Sequence, residues 1–456
     1  MEEYDLIVVG TGSGMNIASR AVSEGLKAAV IDKDPLGGTC LNRGCIPSKV
    51  MIYPADVITE AHHAGELGVD FGDPEIDFQR IIERTRKIYL ADREQMKKAV
   101  DSDENLTFYN EKAKFVNDYT LDISGEKIRS DRILLFSGSR PLIPPIEGIE
   151  DVGYYTNRNI FEINEKPESM IIIGGGYIAC ELAHFFSAVG TDVKIIEQMP
   201  SILPTHDPDI SKLLERKLSS RMEVLTGHRV VEVGEDEEGK FALTEGADSG
   251  DTSEVGAESI LVAAGRRSNA DLLEVEKTGV ETDEDGWIVT NEFLETTKPG
   301  IWAGGDATGK YMFKHVANYE AAIVWHNAFT DHNMKPSYHA VPSAVYTRPQ
   351  IASVGLSVEE AKKNHDILVG RSEYKDTAKG YAMGNRDGFC KIIIDKENGE
   401  ILGANIVGPY APILIQEVIN LMYTEDRSVN PLFDAMHIHP ALTEVVSWAL
   451  DDLREP

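Results

Sequence analysis

Short apolar runs of strand length alternate with amphipathic stretches of helix length through most of the chain. Leu6-Ile7-Val8-Val9 leads into Gly10-Thr11-Gly12-Ser13-Gly14 and a helix-like stretch over 16–24, and a second apolar run over 27–31 follows. The period then changes: 51–100 reads as helices whose Glu, Lys and Arg residues form a solvated face, and 106–128 as short strands. Ile133-Leu134-Leu135-Phe136 closes this part by running into Ser137-Gly138-Ser139-Arg140-Pro141. The strand, glycine turn and helix return at Met170-Ile171-Ile172-Ile173-Gly174-Gly175-Gly176-Tyr177-Ile178-Ala179, with a strand over 192–196 behind them. Further apolar strands are expected at Ile260-Leu261-Val262-Ala263-Ala264, closed by Gly265 and Arg266, and at Ile301-Trp302-Ala303, closed by Gly304-Gly305-Asp306. The remainder, 338–456, mixes strand-like runs such as Cys390-Lys391-Ile392-Ile393-Ile394 with a helix-like stretch over 412–424. Uninterrupted apolar strands separated by helices predict an α/β fold with parallel sheets buried on both faces.

The two glycine turns are the only internal repeat, and each sits where a dinucleotide-binding unit needs it. Glycines there let the backbone approach a pyrophosphate whose charge rests on the following helix N-terminus. In the first unit Gly10, Gly12 and Gly14 supply the turn, and Asp32, twenty residues beyond Gly12, is placed to accept from a ribose hydroxyl. The third position of the G-x-G-x-x-G pattern is Met15, so close packing of helix on strand has to be achieved differently here. In the second unit Gly174, Gly176 and Ala179 follow G-x-G-x-x-A, and the next strand ends in Glu197. A carboxylate at that place accepts from a free 2′-hydroxyl and repels a 2′-phosphate, which favours NADH over NADPH. Gln198 and Met199 bring no arginine to reverse the choice, leaving Lys194 and downstream residues as possible contributors.

At 456 residues the chain is long enough for two or three domains. Lys plus Arg number 45 against 76 Asp plus Glu, a formal charge of -31, which argues against nucleic acid and against an anionic membrane surface. A shell this acidic suits a salt-rich cytoplasm, where self-repulsion is screened, or an ordinary acidic enzyme. Met1-Glu2-Glu3-Tyr4-Asp5 carries acids where a signal peptide needs bases, and no apolar run reaches the ~18–20 residues of a membrane span, so a cytoplasmic location is expected.

Four cysteines are too few for a structural disulfide framework, yet two of them, Cys40 and Cys45, are separated by only four residues in a glycine-rich turn. Thiols that close can form a small disulfide ring. A helix opening at Cys40 and running past Pro47 would set that sulfur near first-turn N–H groups, where a thiolate is favoured. Zinc fits poorly because the spacing is not Cys-x-x-Cys and Cys180 and Cys390 lie far away. His437 and His439 form a His-x-His with no evident third ligand, so no metal is expected.

The run Gly37-Gly38-Thr39-Cys40-Leu41-Asn42-Arg43-Gly44-Cys45-Ile46-Pro47-Ser48-Lys49 resembles the redox-active signature of the flavin-dependent pyridine nucleotide–disulfide oxidoreductases. The likeness extends through both dinucleotide fingerprints, Gly304-Gly305-Asp306 and the C-terminal His439-Pro440 with Glu444. It implies two Rossmann-like domains, for FAD and NAD(P), and a C-terminal α+β dimerisation domain. The implied division is 1–149 and 269–336 for the FAD domain, 150–268 for the NAD(P)H domain and 337–456 for the interface. It further implies that Cys40 exchanges with substrate and that Cys45 is the thiolate nearer the flavin. Lys49 and Glu181 would pair beside the flavin ring, with Gly138 and Asp306 on the FAD side and Gly265 on the nucleotide side. His439 would be the acid/base oriented by Glu444, reaching the disulfide of the other subunit of a homodimer. The implied activity is NAD(P)H-driven reduction of a small thiol disulfide, of mycothione, glutathione or bis-γ-glutamylcystine type. Oxidation of dihydrolipoamide is the alternative; a mercuric reductase and a flavin-bound scaffold without turnover stand further off. Arg43, between the cysteines, and Arg20, on the first helix, are candidates for a substrate carboxylate.

Overall fold

The computed structural model describes residues 1–330, 333–384 and 387–456. The chain opens with β1 (Leu6–Val9), α1 (Gly14–Ser23) and β2 (Ala28–Ile31), then α2 (Gly38–Arg43), α3 (Cys45–Ala64) and α4 (Phe78–Asp101), before β3 (Leu106–Tyr109) and β4 (Ile133–Leu135). Strands β1 to β4 pair in parallel, and the strand Ile301–Ala303 joins at the β4 edge. Four apolar residues in a row in β1 and again in β2 are all buried, as both faces of a parallel sheet require. One sheet is therefore built from both ends of a long stretch of chain.

Between them lies a second parallel sheet: β5 (Ser169–Ile173), β6 (Asp192–Glu197), β7 (Glu223–Thr226) and β8 (Ser259–Val262), in the order β7-β6-β5-β8, with α5 (Tyr177–Ala188) connecting β5 to β6. The two connections to the first sheet, Ser139–Pro141 and Arg266–Ser268, pair antiparallel with each other, so chain leaving and chain returning are tied side by side. After α6 (Lys314–Phe329) comes an antiparallel five-stranded sheet of β9 (Pro342–Val345), β10 (Ile351–Gly355), β11 (Ile367–Glu373), β12 (Phe389–Asp395) and β13 (Ile401–Val407), ordered β9-β10-β13-β12-β11. Helix α7 (Ala411–Met422) packs on it with one apolar face, and α8 (Glu444–Ser447) lies near the C-terminal end. The architecture is the mixed α/β fold that the sequence predicts. No helix among the described residues is long and apolar enough to cross a membrane.

The helix-on-strand contact in the first unit is solved one residue early. Met15 is buried in the core, and Gly14 takes the close approach: a Cβ there would lie 2.6 Å from Val8 Cγ1 and 3.2 Å from Phe136 Cβ. Gly14→Ala should therefore overpack the α1–β1 contact and cost about 1–3 kcal/mol of stability, read as a lower midpoint in urea unfolding. An unchanged midpoint would show that α1 shifts at no cost.

Candidate active site

The redox segment does not form the single helix expected of it. α2 ends at Arg43, Gly44 turns the chain, and α3 begins at Cys45. The break leaves no room for a side chain, since a Cβ on Gly44 would meet Thr39 O at 3.0 Å and Cys40 Cα at 3.4 Å. It is therefore Cys45, and not Cys40, that stands at the N-terminus of the long helix, where the helix dipole favours an anion. Pro47 falls in the first turn of α3, where its missing N–H breaks no helical bond. The turn is held from below by buried Asn42, whose amide donates to Leu36 O at 2.9 Å and Gly38 O at 3.0 Å while its Oδ1 accepts from Arg93 Nε at 2.9 Å.

Cys40 and Cys45 are free thiols that share a hydrogen bond on the wall of a cavity of about 870 Å³. That bond, with the Lys49 charge, brings Cys45 down to about 7 against the opposing effect of burial. The same bond and burial push Cys40 well above the ordinary thiol range. These effects favour a thiolate on Cys45 over one on Cys40. Cys180 and Cys390 are buried, and burial raises both thiols out of the reactive range.

Lys49 Nζ lies 2.6 Å from Glu181 Oε2, joining α3 to α5 across the cavity wall. Glu181 is itself fixed, its Oε1 accepting the Tyr346 N–H at 3.0 Å. Further along the same helix pair, His184 Nε2 meets Asp56 Oδ1 at 3.0 Å. At the far side of the cavity Asp306 accepts from Ser139 Oγ at 2.6 Å, and Arg266 Nε donates to the same hydroxyl at 2.6 Å. Ser139 and Arg266 were invisible as a pair in the sequence, because only the antiparallel pairing of the two connections brings them together. Gly138 lines the cavity beside them.

At the cavity's glycine end, Gly10 adopts φ +107°, as Gly174 does in the second unit at +113°. Gly12 faces open space where a Cβ would point, and Asp32 Oδ2 accepts from Thr11 N at 2.9 Å and Thr11 Oγ1 at 2.7 Å. An uncovered helix N-terminus for a pyrophosphate, a carboxylate at the ribose distance, Asp306 at the other end and a volume in the upper range of ligand sites make a lining that fits FAD.

In the second unit Gly176 caps α5 and Ala179 is buried beneath it. Glu197 is held by the N–H groups of Gly175 at 2.5 Å and Met199 at 2.7 Å. Lys194 turns away to Gly256 O at 2.9 Å. Gly265, at φ +129°, shapes the returning connection, where its carbonyl accepts from Leu142 N–H at 2.9 Å.

Two candidates have other partners. Arg43 is bound by Asp34 at 2.8 Å, a carboxylate shared with Arg158, so its charge is directed at that ion pair rather than left free between the cysteines. Arg20 pairs with Glu24 at 3.3 Å, lies over the Trp325 ring and does not wall the cavity.

His439 and Glu444 meet each other but not the cysteines. His439 Nδ1 is 2.7 Å from Glu444 Oε1, and Glu444 Oε2 accepts the Ala441 N–H at 3.0 Å. Those bonds hold the buried carboxyl below its usual range, so it stays a carboxylate and Nδ1 keeps the ring proton. The imidazole is 67% exposed and is not part of the cavity wall. His437 turns its Nε2 to Leu432 O instead, and among the described residues no cluster of three or more metal-ligating side chains forms.

Comparison with known proteins follows this geometry. The family model described as pyridine nucleotide-disulphide oxidoreductase matches residues 4–321, and its dimerisation domain matches 341–450. Mycothione reductase of Mycobacterium tuberculosis is 36% identical over the whole of both chains. Dihydrolipoyl dehydrogenase of Chlamydia trachomatis is 34% identical over 98% of this chain and 96% of its own. Among solved structures, the HOCl-induced flavoprotein disulfide reductase RclA of Escherichia coli superposes with a TM-score of 0.86 at 25% identity, covering 98% of this chain and 99% of that one. With a family model spanning most of its length and two relatives matched end to end, the chain belongs to the pyridine nucleotide–disulphide oxidoreductases, FAD-dependent enzymes that use NAD(P)H and act on sulfur groups.

Proposed function

We propose that the chain reduces the disulfide of a low-molecular-weight thiol, of mycothione, glutathione or bis-γ-glutamylcystine type, with electrons from NADH. The observation that carries this reading is the placement of two free thiols, Cys40 and Cys45, on the wall of one cavity with the Lys49–Glu181 pair. When bound, FAD would supply a two-electron relay from the nicotinamide to sulfur. The chain's own residues account for the rest. The Cys40–Cys45 bond breaks on taking up two electrons and a proton, leaving the Cys45 thiolate and the Cys40 thiol. Cys40 then gives its proton to a histidine, attacks one sulfur of the substrate and forms a mixed disulfide, while the other sulfur leaves and takes the proton back. Cys45 attacks the mixed disulfide, restores the Cys40–Cys45 bond and releases the second sulfur as a thiolate, which takes a proton from water, so that two electrons have passed to the substrate.

His439 suits that proton transfer because the Glu444 bond leaves its Nε2 lone pair outward. As His439 stands off the cavity of its own chain, we place it at the cavity of a second copy, in a homodimer. The matched dimerisation domain supports this, as do the apolar side chains left bare within it: Met436 is 101% and Ile438 76% exposed, and Ile413, Tyr423 and Phe433 are exposed as well. The full-length likeness to mycothione reductase favours a small disulfide. The likeness to dihydrolipoyl dehydrogenase keeps dihydrolipoamide as the second substrate to try. A panel of mycothione, glutathione disulfide, bis-γ-glutamylcystine and lipoamide decides between them: kcat/KM should be highest on one of the first three, and a maximum on lipoamide would reverse the order.

NADH is the expected donor, since Glu197 is already oriented by two backbone N–H groups and, among the described residues, no lysine or arginine forms an ion pair with it. Glu197→Arg should narrow or reverse the ratio of kcat/KM for NADH over NADPH. A wild type that prefers NADPH would refute the assignment.

A further inference from the structure

Lys314 is the first residue of α6 and lines the same cavity as Cys40, Cys45 and Lys49. Its ammonium donates to Ser13 Oγ at 3.0 Å, and Ser13 passes its own hydrogen to Asn318 Oδ1 at 2.9 Å, so the lysine is tethered from α1 and from its own helix. Among the described residues no carboxylate lies within 4 Å of that ammonium, although the chain carries 76 acids. A half-buried cation without a carboxylate, in a protein of net charge -31, stands facing an anion that is present only part of the time. Both cysteine sulfurs belong to residues on the wall of that same cavity.

We propose that Lys314 is a second fixed cation of the dithiol site, opposite Lys49, that favours the thiolate form of the Cys40–Cys45 pair and so eases reduction of its disulfide. The inference rests on the redox reading of those cysteines. The charged and titratable groups facing the pair are Lys49 on α3, Glu181 and Tyr177 on α5, Lys314 and His315 on α6 and, in the proposed homodimer, His439 of the second copy. Glu181 is neutralised by Lys49, Tyr177 is held protonated by burial at about 12, and burial keeps His315 toward its neutral form with Nε2 on Pro342 O. The Lys314 charge favours an anion on either sulfur, as the Lys49 charge favours one on Cys45. Reduction converts a neutral disulfide, two electrons and one proton into a thiol and a thiolate. A cation stabilises only the product side, and removing it shifts the pair toward the disulfide.

The test uses holoenzyme with the pair reduced, and reads the rate of alkylation of Cys40 and Cys45 by iodoacetamide between about pH 5 and 10. Lys314→Met, nearly isosteric, should raise the titration midpoint by about one pH unit and shift the pair roughly tenfold toward disulfide in a dithiothreitol redox buffer. Lys314→Arg should keep both near wild type. An unchanged midpoint in Lys314→Met, or an arginine variant shifted as far as the methionine one, would overturn the proposal. A wild-type pair that titrates in the ordinary thiol range and does not cycle would instead remove the redox reading beneath it.

Discussion

Cys45→Ser should lose NADH-driven disulfide reduction by roughly 10⁴–10⁶-fold, the scale of removing an obligatory nucleophile, while the protein still binds FAD. The same loss is expected for Cys40→Ser, and the two variants should differ in the thiol that remains. In Cys40→Ser a hydroxyl can still donate toward Cys45, Lys49 is unchanged and Cys45 still opens α3, so one thiol should go on titrating near the value of about 7. In Cys45→Ser the bond that raises Cys40 is gone, and Cys40 should fall back toward the ordinary thiol range. The sign is fixed by which form each contact favours: a donated hydrogen bond and a neighbouring cation favour the thiolate, so Cys45 is charged above about 7 and protonated below it. Alkylation of each single variant against pH reads both midpoints. Normal turnover in either variant would remove Cys40 and Cys45 from the mechanism.

The second large effect belongs to His439. His439→Ala should leave reduction of the flavin by NADH nearly untouched and slow exchange with the substrate by ~10²–10⁴-fold, as expected for loss of a general base. Glu444→Gln should cost part of that, since it still accepts from Nδ1 but no longer carries the charge that steadies the imidazolium. The proposal of a shared site adds a sharper expectation. Mixing His439→Ala with Cys40→Ser protomers should restore activity, because a heterodimer then holds one site with both its cysteines and its histidine. Heterodimers proven by mass that show no recovery would confine the mechanism to a single chain and would leave the distance between His439 and the cavity unexplained.

Much of this was legible in the sequence because it is local. A strand, a glycine turn and a helix are set by neighbours, and an acid at the end of the next strand falls at a fixed distance from the turn, as Asp32 and Glu197 do. The redox segment was legible in composition and not in conformation: periodicity carries through Gly44, while the structure ends one helix at Arg43 and starts the next at Cys45. Partner choice was the part out of reach. Arg43 has Asp34 on one side and Arg158, far along the chain, competing for the same carboxylate, and only the fold decides where its charge goes. Ser139 and Arg266 meet through a strand pairing that neither segment announces. Lys314 was in plain view at the head of a helix, where a lysine is ordinarily solvated, and its place on the cavity wall that carries the dithiol comes from the return of the chain to the first sheet.

The central claim is that Cys40 and Cys45 form the disulfide that NADH reduces, and counting thiols tests it with no assumption about substrate. Oxidised holoenzyme is treated anaerobically with one equivalent of NADH, quenched with iodoacetamide and mapped by mass spectrometry. The account predicts that two thiols per chain appear, one at Cys40 and one at Cys45, with Cys180 and Cys390 unchanged by NADH. Equal labelling of Cys40 and Cys45 with and without NADH would contradict it.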